Sequence, residues 1–416
     1  MKIYLEVYGC TANKSDANLI KGILKKKGYN FVKNIDESDL IIILTCTVIN
    51  TTEQRMLSRL KYFKKIGKKV VVCGCMASVQ TDLIKSVIPN AKILPAQYSY
   101  HILDVLKNKK INYIDKNKTL FPKYYENITA PILISEGCMF SCSYCITCLA
   151  RGNVKSYPID EIINNINSAI SQNCKEIQLT AQDISSYGLN NRSNLGELLE
   201  NVSKIKGEFR IRVGMMNPYT CLKNLDGIVK GFASKKIYKF LHLPVQSGDN
   251  DILKKMNRKY SINDFLKIIK KFKKNYPNIT ISTDVIVGFP TETNKQFQNT
   301  IKLLKKVKPD ITNITRFSAR PYTKAKTMKG RLKTEILKDR SRILTDVCNQ
   351  ISKQNNLNHI GKKYIALITE KGKNNTFMGR TENYKPIIIK KDVEIGKFYR
   401  VVVKKAAPTY LFGSIK

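Results

Sequence analysis

The sequence predicts an α/β protein in three parts: an N-terminal parallel α/β sheet, a central open (β/α)6 barrel and a small all-β barrel at the C-terminus. Three observations predict it. Continuous apolar runs of strand length alternate with amphipathic helical stretches from the first residues onward, the pattern of parallel strands covered on both faces by helices. In the middle of the chain this alternation recurs six times, fewer than in the closed eight-unit barrel. Beyond residue 360 the period changes to short strands separated by glycine-containing turns.

Taken in order, strands at 3–7, 40–44 and 70–72 are each followed by a helix, at 16–27, 51–65 and 81–87. A polar stretch rich in Lys and Asn, 107–127, reads as a linker, and Pro122 within it supports that reading. Six central strands fall at 131–135, 176–180, 210–215, 238–243, 280–287 and 311–317. The helices between them are one-sided: Leu195, Leu198, Leu199, Val202 and Ile205 share a face at helical spacing. A long helix over 334–356 closes this part, and strands at 364–369, 386–389, 398–404 and 410–415 build the last. The expected units are 1–107, 124–356 and 357–416.

Composition narrows the class of function. With 43% hydrophobic residues over 416 positions, the chain can bury real cores and is not disordered. Its apolar runs are too short to span a bilayer, and its opening residues lack the pattern of a secretory leader. The expected compartment is the cytoplasm, with no membrane partner. Seventy-three basic residues against thirty-two acidic ones leave a formal charge of +41. Such an excess favours a polyanion, because each neutralised phosphate releases counterions. Only 14 of the cations are Arg and 59 are Lys, so compositional drift is the competing reading. The deficit of acids, which drift towards Lys does not explain, weighs for nucleic acid.

Eleven cysteines in a reducing compartment point to metal rather than disulfides. Cys138, Cys142 and Cys145 form C-x3-C-x2-C directly after the first barrel strand. Three thiolates on one short loop can hold three irons of a 4Fe-4S cluster and leave the fourth open to a small molecule. The alternative is a closed structural site with Cys148 as fourth ligand, since structural zinc takes four. The open reading also accounts for the barrel around the loop. A second set, Cys10, Cys46 and Cys75, is spaced 36 and 29 residues apart, about one βα unit. Parallel strands so connected end on one edge of a sheet, where α/β folds bind ligands. Cys73 is still on its strand, so Cys75 is the better ligand. Buried structural thiols are the bland alternative; beside a first three-cysteine site, a second open 4Fe-4S cluster is the stronger reading. Cys73, Cys174, Cys221 and Cys348 are read as ordinary small apolar residues.

The barrel loop resembles the signature of radical S-adenosylmethionine enzymes, including the aromatic Tyr144 before the third cysteine. The whole chain resembles the methylthiotransferase family, in the family's own order. Gly9-Cys10, Thr45-Cys46-Thr47-Val48 and Gly74-Cys75 match its N-terminal segments, and the barrel cysteines are followed by Arg151-Gly152. Two later segments also match, from His242 to Gly248 and from Asp284 to Thr293. The C-terminal barrel resembles the RNA-binding domain called TRAM, through Gly379-Arg380-Thr381 and Asn383-Tyr384-Lys385-Pro386. The run Arg212-Val213-Gly214-Met215-Met216-Asn217-Pro218 looks most like the archaeal and eukaryotic branch, which acts on N6-threonylcarbamoyladenosine beside the anticodon of tRNA.

That resemblance implies two 4Fe-4S clusters, S-adenosylmethionine, the tRNA anticodon stem-loop as substrate, and a small electron donor such as a ferredoxin or flavodoxin. It implies reductive cleavage of S-adenosylmethionine to a 5′-deoxyadenosyl radical that activates an inert C–H, with the N-terminal cluster supplying a methylated sulfur. The cofactors carry the hard chemistry and the protein positions them. Anticodon-loop bases can be splayed out and read by edge and stacking. Tyr144, Gln182, Gln246 and Gly288 are expected near S-adenosylmethionine, with Asp183 beside Gln182. Arg380 and Lys385 are expected to contact phosphates. The rival readings are a family member acting on isopentenyladenosine in tRNA or on a ribosomal protein, and an RNA-binding protein with structural metal sites and no turnover.

Overall fold

The computed structural model describes residues 1–111, 113–114 and 116–416. Its first part is a five-stranded parallel sheet of β1 (Lys2–Val7), β2 (Asn30–Val32), β3 (Leu40–Thr45), β4 (Lys69–Gly74) and β5 (Lys92–Pro95), in the order β2-β1-β3-β4-β5. β3 is buried at every position. Its alternate residues serve opposite faces: Leu40, Ile42 and Leu44 join one apolar cluster, Ile41 and Ile43 the other. Edge strands β2 and β5 were not legible as strands, being three and four residues long and only half-apolar.

The central part holds β6 (Thr129–Leu133), then a two-residue antiparallel ladder of β7 (Ser135–Glu136) with β8 (Lys155–Ser156). Five more parallel strands follow: β9 (Glu176–Thr180), β10 (Arg210–Val213), β11 (Phe240–His242), β12 (Thr280–Val287) and β13 (Ile311–Arg316). β6-β9-β10 and β11-β12-β13 are each continuous ladders. Parallel bridges Ile211↔Ile237 and Met215↔His242 join them, giving six strands in chain order: the expected open barrel. Thr293 proves to be a helix cap, its hydroxyl accepting from Gln296 N while Gln296 Oε1 accepts from Thr293 N. The long helix, Thr334–Leu357, packs against β13.

The C-terminal part is a closed barrel of β14 (Lys363–Lys371), β15 (Phe377–Thr381), β16 (Pro386–Ile389), β17 (Phe398–Ala406) and β18 (Leu411–Ile415). β15 was not among the expected strands, because Gly379 interrupts its pattern. The glycine is there for packing: an added β-carbon would lie 3.1 Å from Leu367 O.

Two expectations are corrected by how the parts dock. Within the expected linker 107–127, of which residues 112 and 115 lie outside the described residues, the segment 117–125 is docked rather than free. Lys118 is 2% exposed and donates to Asp16 Oδ1 (2.8 Å), Glu136 Oε1 (2.8 Å) and Ala96 O (2.7 Å). Pro122 lies so close to Gly22 that a β-carbon there would meet Pro122 O at 2.2 Å. Burial, with Lys118 nearby, lowers the Lys123 ammonium to about 7. Lys118 and Lys123 thus belong to a polar seam between two parts, while Lys107, Asn108, Lys109 and Lys110 are exposed as a linker's residues would be.

The second correction is Lys385. The turn after β15 enters the lower mouth of the open barrel, where strands begin. Tyr384 donates to Glu176 Oε1 (3.1 Å) and packs against Tyr238 and Phe240, and Lys239 N donates to Glu382 O (2.9 Å). Lys385 is 3% exposed, and its ammonium donates to Asp310 Oδ1 (2.6 Å) and Asn356 Oδ1 (2.7 Å). It is a buried strut and presents nothing to a phosphate.

Candidate functional site

The barrel cysteines lie on a loop clasped at its base by the β7–β8 ladder. Gly137, at φ +82°, lets the loop leave β7; a β-carbon there would sit 2.0 Å from Asn153 O. Cys138 N donates to Gly152 O (2.9 Å) and Cys145 N to Cys142 O (3.0 Å). The segment 255–258 clamps the loop from outside: Ser143 N donates to Met256 O (3.0 Å), Asn257 Nδ2 to Ser141 O (2.9 Å), and Arg258 Nη1 approaches Cys142 Sγ at 3.5 Å. Burial pushes the Cys138 thiol up to about 12, with Asp183, Cys145 and Cys142 adding to the shift, and burial likewise raises Cys145. Three half-buried thiols gathered on one loop form a donor set suited to soft cations, which would favour the thiolates. No set of three His, Cys, Asp or Glu residues is arranged to hold a single metal ion among the described residues.

Cys148 is on the helix Thr147–Arg151, and its thiol faces Cys138 O (3.6 Å) and Gly152 O (4.0 Å). Cys148→Ala is therefore expected to retain the full iron content measured after anaerobic reconstitution; loss of the barrel's iron would mean that the site is closed by this fourth thiolate.

The other expected contacts separate. Tyr144 packs into an apolar cluster with Ile252, Met256, Phe289 and Ala325, anchoring the loop. Gln182 Oε1 is buried with no hydrogen-bond partner among the described residues, an orphaned acceptor past the end of β9 of the kind a ligand satisfies. Asp183 is corrected: its carboxylate accepts from Ser185 N, Ser185 Oγ, Asn217 N and Thr220 Oγ1 at 2.6–3.1 Å, so it ties two loops together. Gln246 has a left-handed backbone, φ 66°, with its N–H and C=O both bound to β12. Gly288, φ +73°, has the side chain of Leu337 2.5 Å from where a β-carbon would be, so turn geometry and packing explain it.

Sequence reasoning missed a polar set on three neighbouring strands. His242 Nε2 and Asn313 Nδ2 lie 3.0 and 2.7 Å from Asp284 Oδ1. Burial alone would raise the Asp284 carboxyl, but hydrogen bonds from His242 and Asn313 hold it below its usual value. Arg212 lies over the rings of Phe240 (5.3 Å) and Tyr384 (5.4 Å). His242, Asp284 and Arg212 each open a segment matched above, but nothing in the spacing of those segments shows that His242 and Asp284 meet each other and Asn313 across strands.

At the N-terminal sheet all three cysteines fall on one edge, as the βα spacing implied. Cys10 is the N-cap of the helix Thr11–Lys25, Cys46 follows β3, and Cys75 opens the helix Cys75–Val79 after β4. The glycines of the two Gly-Cys pairs make the approach possible. A β-carbon on Gly9 would be 2.9 Å from Cys46 Cβ, and one on Gly74 would be 2.5 Å from Thr45 O. Buried Asn13 laces the loops, donating to Tyr8 O (2.7 Å) and Thr45 O (2.9 Å). Burial pushes the Cys75 thiol up to about 11; Cys10 and Cys46 add to this, and Arg151 opposes it. Cys73 instead lies within β4, its side chain in an apolar cluster.

The two cysteine sites adjoin, since the helix Thr147–Arg151 packs against the helix Cys75–Val79. Arg320, 2% exposed, also crosses from the barrel, donating to Thr47 Oγ1 (2.9 Å) and pairing with Glu53. A cavity of about 1000 Å³ opens where the three parts meet, with Lys14, Lys21, Lys371, Arg380, Glu176 and Tyr384 on its walls. Arg380 is thus placed at an accessible cavity, 4.9 Å over the Tyr384 ring.

Residues 2–95 match the family model of uncharacterized protein family UPF0004, residues 132–304 that of the Radical SAM superfamily, and residues 358–416 that of the TRAM domain. The chain is 40% identical over 427 residues to a Pyrococcus horikoshii protein named probable threonylcarbamoyladenosine tRNA methylthiotransferase, covering 100% of this chain and 99% of the relative. It is 33% identical over 441 residues to the Aquifex aeolicus tRNA-2-methylthio-N(6)-dimethylallyladenosine synthase, covering 100% and 98%. Among solved structures, the radical S-adenosylmethionine methyltransferase TsrM from Kitasatospora setae, with cobalamin and a 4Fe-4S cluster bound, matches with a TM-score of 0.58. That match covers 78% of this chain and 73% of TsrM, and at 11% identity it is a likeness of fold.

Proposed function

The chain belongs to the threonylcarbamoyladenosine tRNA methylthiotransferases, and on that premise we propose that it attaches a methylthio group to N6-threonylcarbamoyladenosine beside the anticodon of tRNA, at the purine's second carbon. It is an enzyme of the radical S-adenosylmethionine class and takes S-adenosylmethionine and an iron–sulfur cluster. The observation that carries the finer reading is the adjacency of two three-cysteine sites, each built from loops that only glycines allow to close.

In this reading Cys138, Cys142 and Cys145 hold the barrel's 4Fe-4S cluster, and Cys10, Cys46 and Cys75 hold a second. Bound there, the cofactors supply a radical able to activate an inert C–H and a sulfur to insert. The protein's own residues do the rest. The clamp of Ser143, Asn257 and Arg258 fixes the radical loop, Gln182 offers an unsatisfied acceptor beside it, and Asn13 holds the sulfur-bearing edge in register. The cavity at the junction lies on the side where the barrel strands begin, away from the barrel's cysteine loop, and its cations from two parts suit tRNA phosphates outside the modified base. A small ferredoxin or flavodoxin is the proposed electron donor, and the cytoplasm the proposed compartment. No helix among the described residues is long and apolar enough to cross a membrane.

Anaerobically reconstituted enzyme, incubated with tRNA and S-adenosylmethionine, is expected to yield methylthiolated threonylcarbamoyladenosine by nucleoside mass spectrometry. Methylthio transfer to dimethylallyladenosine instead, as the Aquifex relative's name would suggest, or to a ribosomal protein, would replace the substrate assignment. An iron-free protein with no turnover would leave an RNA-binding module.

A further inference from the structure

The residue pair that follows the radical loop, Arg151-Gly152, faces the N-terminal part. Arg151 is 2% exposed; its Nη1 donates to Glu136 Oε1 (2.8 Å), its Nη2 donates to Asn13 Oδ1 (2.6 Å), and Nη2 lies 2.8 Å from Asp16 Oδ2. Lys118 bridges the same two carboxylates, which closes a buried ring of two acids and two cations. Gly152 lies directly against Gln97, whose Nε2 would be 2.6 Å from a β-carbon. The ring balances in charge, yet Arg151 does more than complete it. Cys75 Sγ is 4.0 Å from Asn13 Oδ1, the oxygen that Arg151 holds. Arg151 Nε is buried with no partner among the described residues. An unmet buried N–H is costly and marks a missing acceptor.

We propose that Arg151 is a positioning residue for the neighbouring sulfur site: carried on the helix after the radical loop, it orients Asn13 and Cys75 and directs positive charge and a free N–H at the cluster they help to bind, raising that cluster's reduction potential. The physical reason is that donors and cations near ligating sulfur favour the more negative, reduced state. The site that performs radical chemistry thereby sets the electronic state of the site that supplies sulfur. This inference rests on the reading that Cys10, Cys46 and Cys75 hold a cluster.

The test isolates that cluster in the full chain carrying Cys138→Ala, Cys142→Ala and Cys145→Ala. Arg151→Gln, Arg151→Lys and Lys118→Met are added singly, and the remaining cluster is titrated by EPR-monitored reduction. Arg151→Gln is expected to move the midpoint to more negative potential and change the EPR line shape. Arg151→Lys, which keeps the charge but not the planar fork, is expected to shift it less. Lys118→Met breaks the same ring on the side bonded to Ala96 O; it is expected to lower thermal stability with a smaller shift than Arg151→Gln. If Arg151→Gln fails to fold, Arg151→Lys decides alone. A midpoint unchanged in the folded Arg151 variants, or moved equally by Lys118→Met, reduces Arg151 to a staple and overturns the inference. If the parent variant binds no iron, the two-cluster reading itself fails and the inference falls with it.

Discussion

Replacing Cys138, Cys142 and Cys145 together by Ala is expected to leave about half of the iron and sulfide of the reconstituted enzyme and to abolish cleavage of S-adenosylmethionine. The retained half should remain on Cys10, Cys46 and Cys75, which belong to a different sheet with its own apolar clusters on both faces. Cys75→Ala should give the complementary phenotype: no methylthio transfer, with slow formation of 5′-deoxyadenosine persisting at the intact barrel loop. The separation is expected because the loop's fixing contacts, from Met256, Asn257 and Arg258, all come from the barrel itself. Iron analysis and chromatography of the cleaved nucleoside measure both effects. A triple variant that loses all iron, or none, contradicts the assignment of two separate sites.

The second large effect concerns the C-terminal barrel. Lys385→Met should destabilise the protein by about 3 kcal/mol, since it strands Asp310 without its cation in a nearly water-free seam. Lys385 and Asp310 are 3% and 12% exposed at their side chains. Its effect on the salt dependence of tRNA binding should be nil. Arg380→Gln should behave oppositely, leaving the thermal midpoint close to its starting value and lowering the slope of log affinity against log salt by about one unit. Differential scanning calorimetry and a salt titration of tRNA binding, run on both variants, separate the two roles. A change in slope for the folded Lys385 variant would mean that its ammonium leaves the seam to meet RNA. Truncating the chain before residue 357 is a poorer experiment: Tyr384, Asn383 and Lys385 all fill the lower mouth of the barrel, and removing them exposes Glu176 and Asp310.

By itself, the sequence determined what repeats or is spaced. Six apolar strands alternating with one-sided helices leave one fold class, because each buried face must recur at the period of its element. The βα spacing likewise put Cys10, Cys46 and Cys75 on one edge, and strand register set Cys75 apart from Cys73. Only the tertiary structure decided which polar groups are buried and with whom. Lys118 meets Asp16 across 102 positions, Arg151 meets Asn13 across 138, and Lys385 meets Asp310 across 75. Such pairs have no period, since each needs two distant segments to arrive at one place. A lysine in a polar stretch therefore looks the same whether it faces water or a buried carboxylate. For that reason a linker pattern covers the docked segment 117–125 and a phosphate contact is expected of buried Lys385, and Arg151, matched only as part of a motif, takes a chemical role only where the two cysteine sites stand side by side.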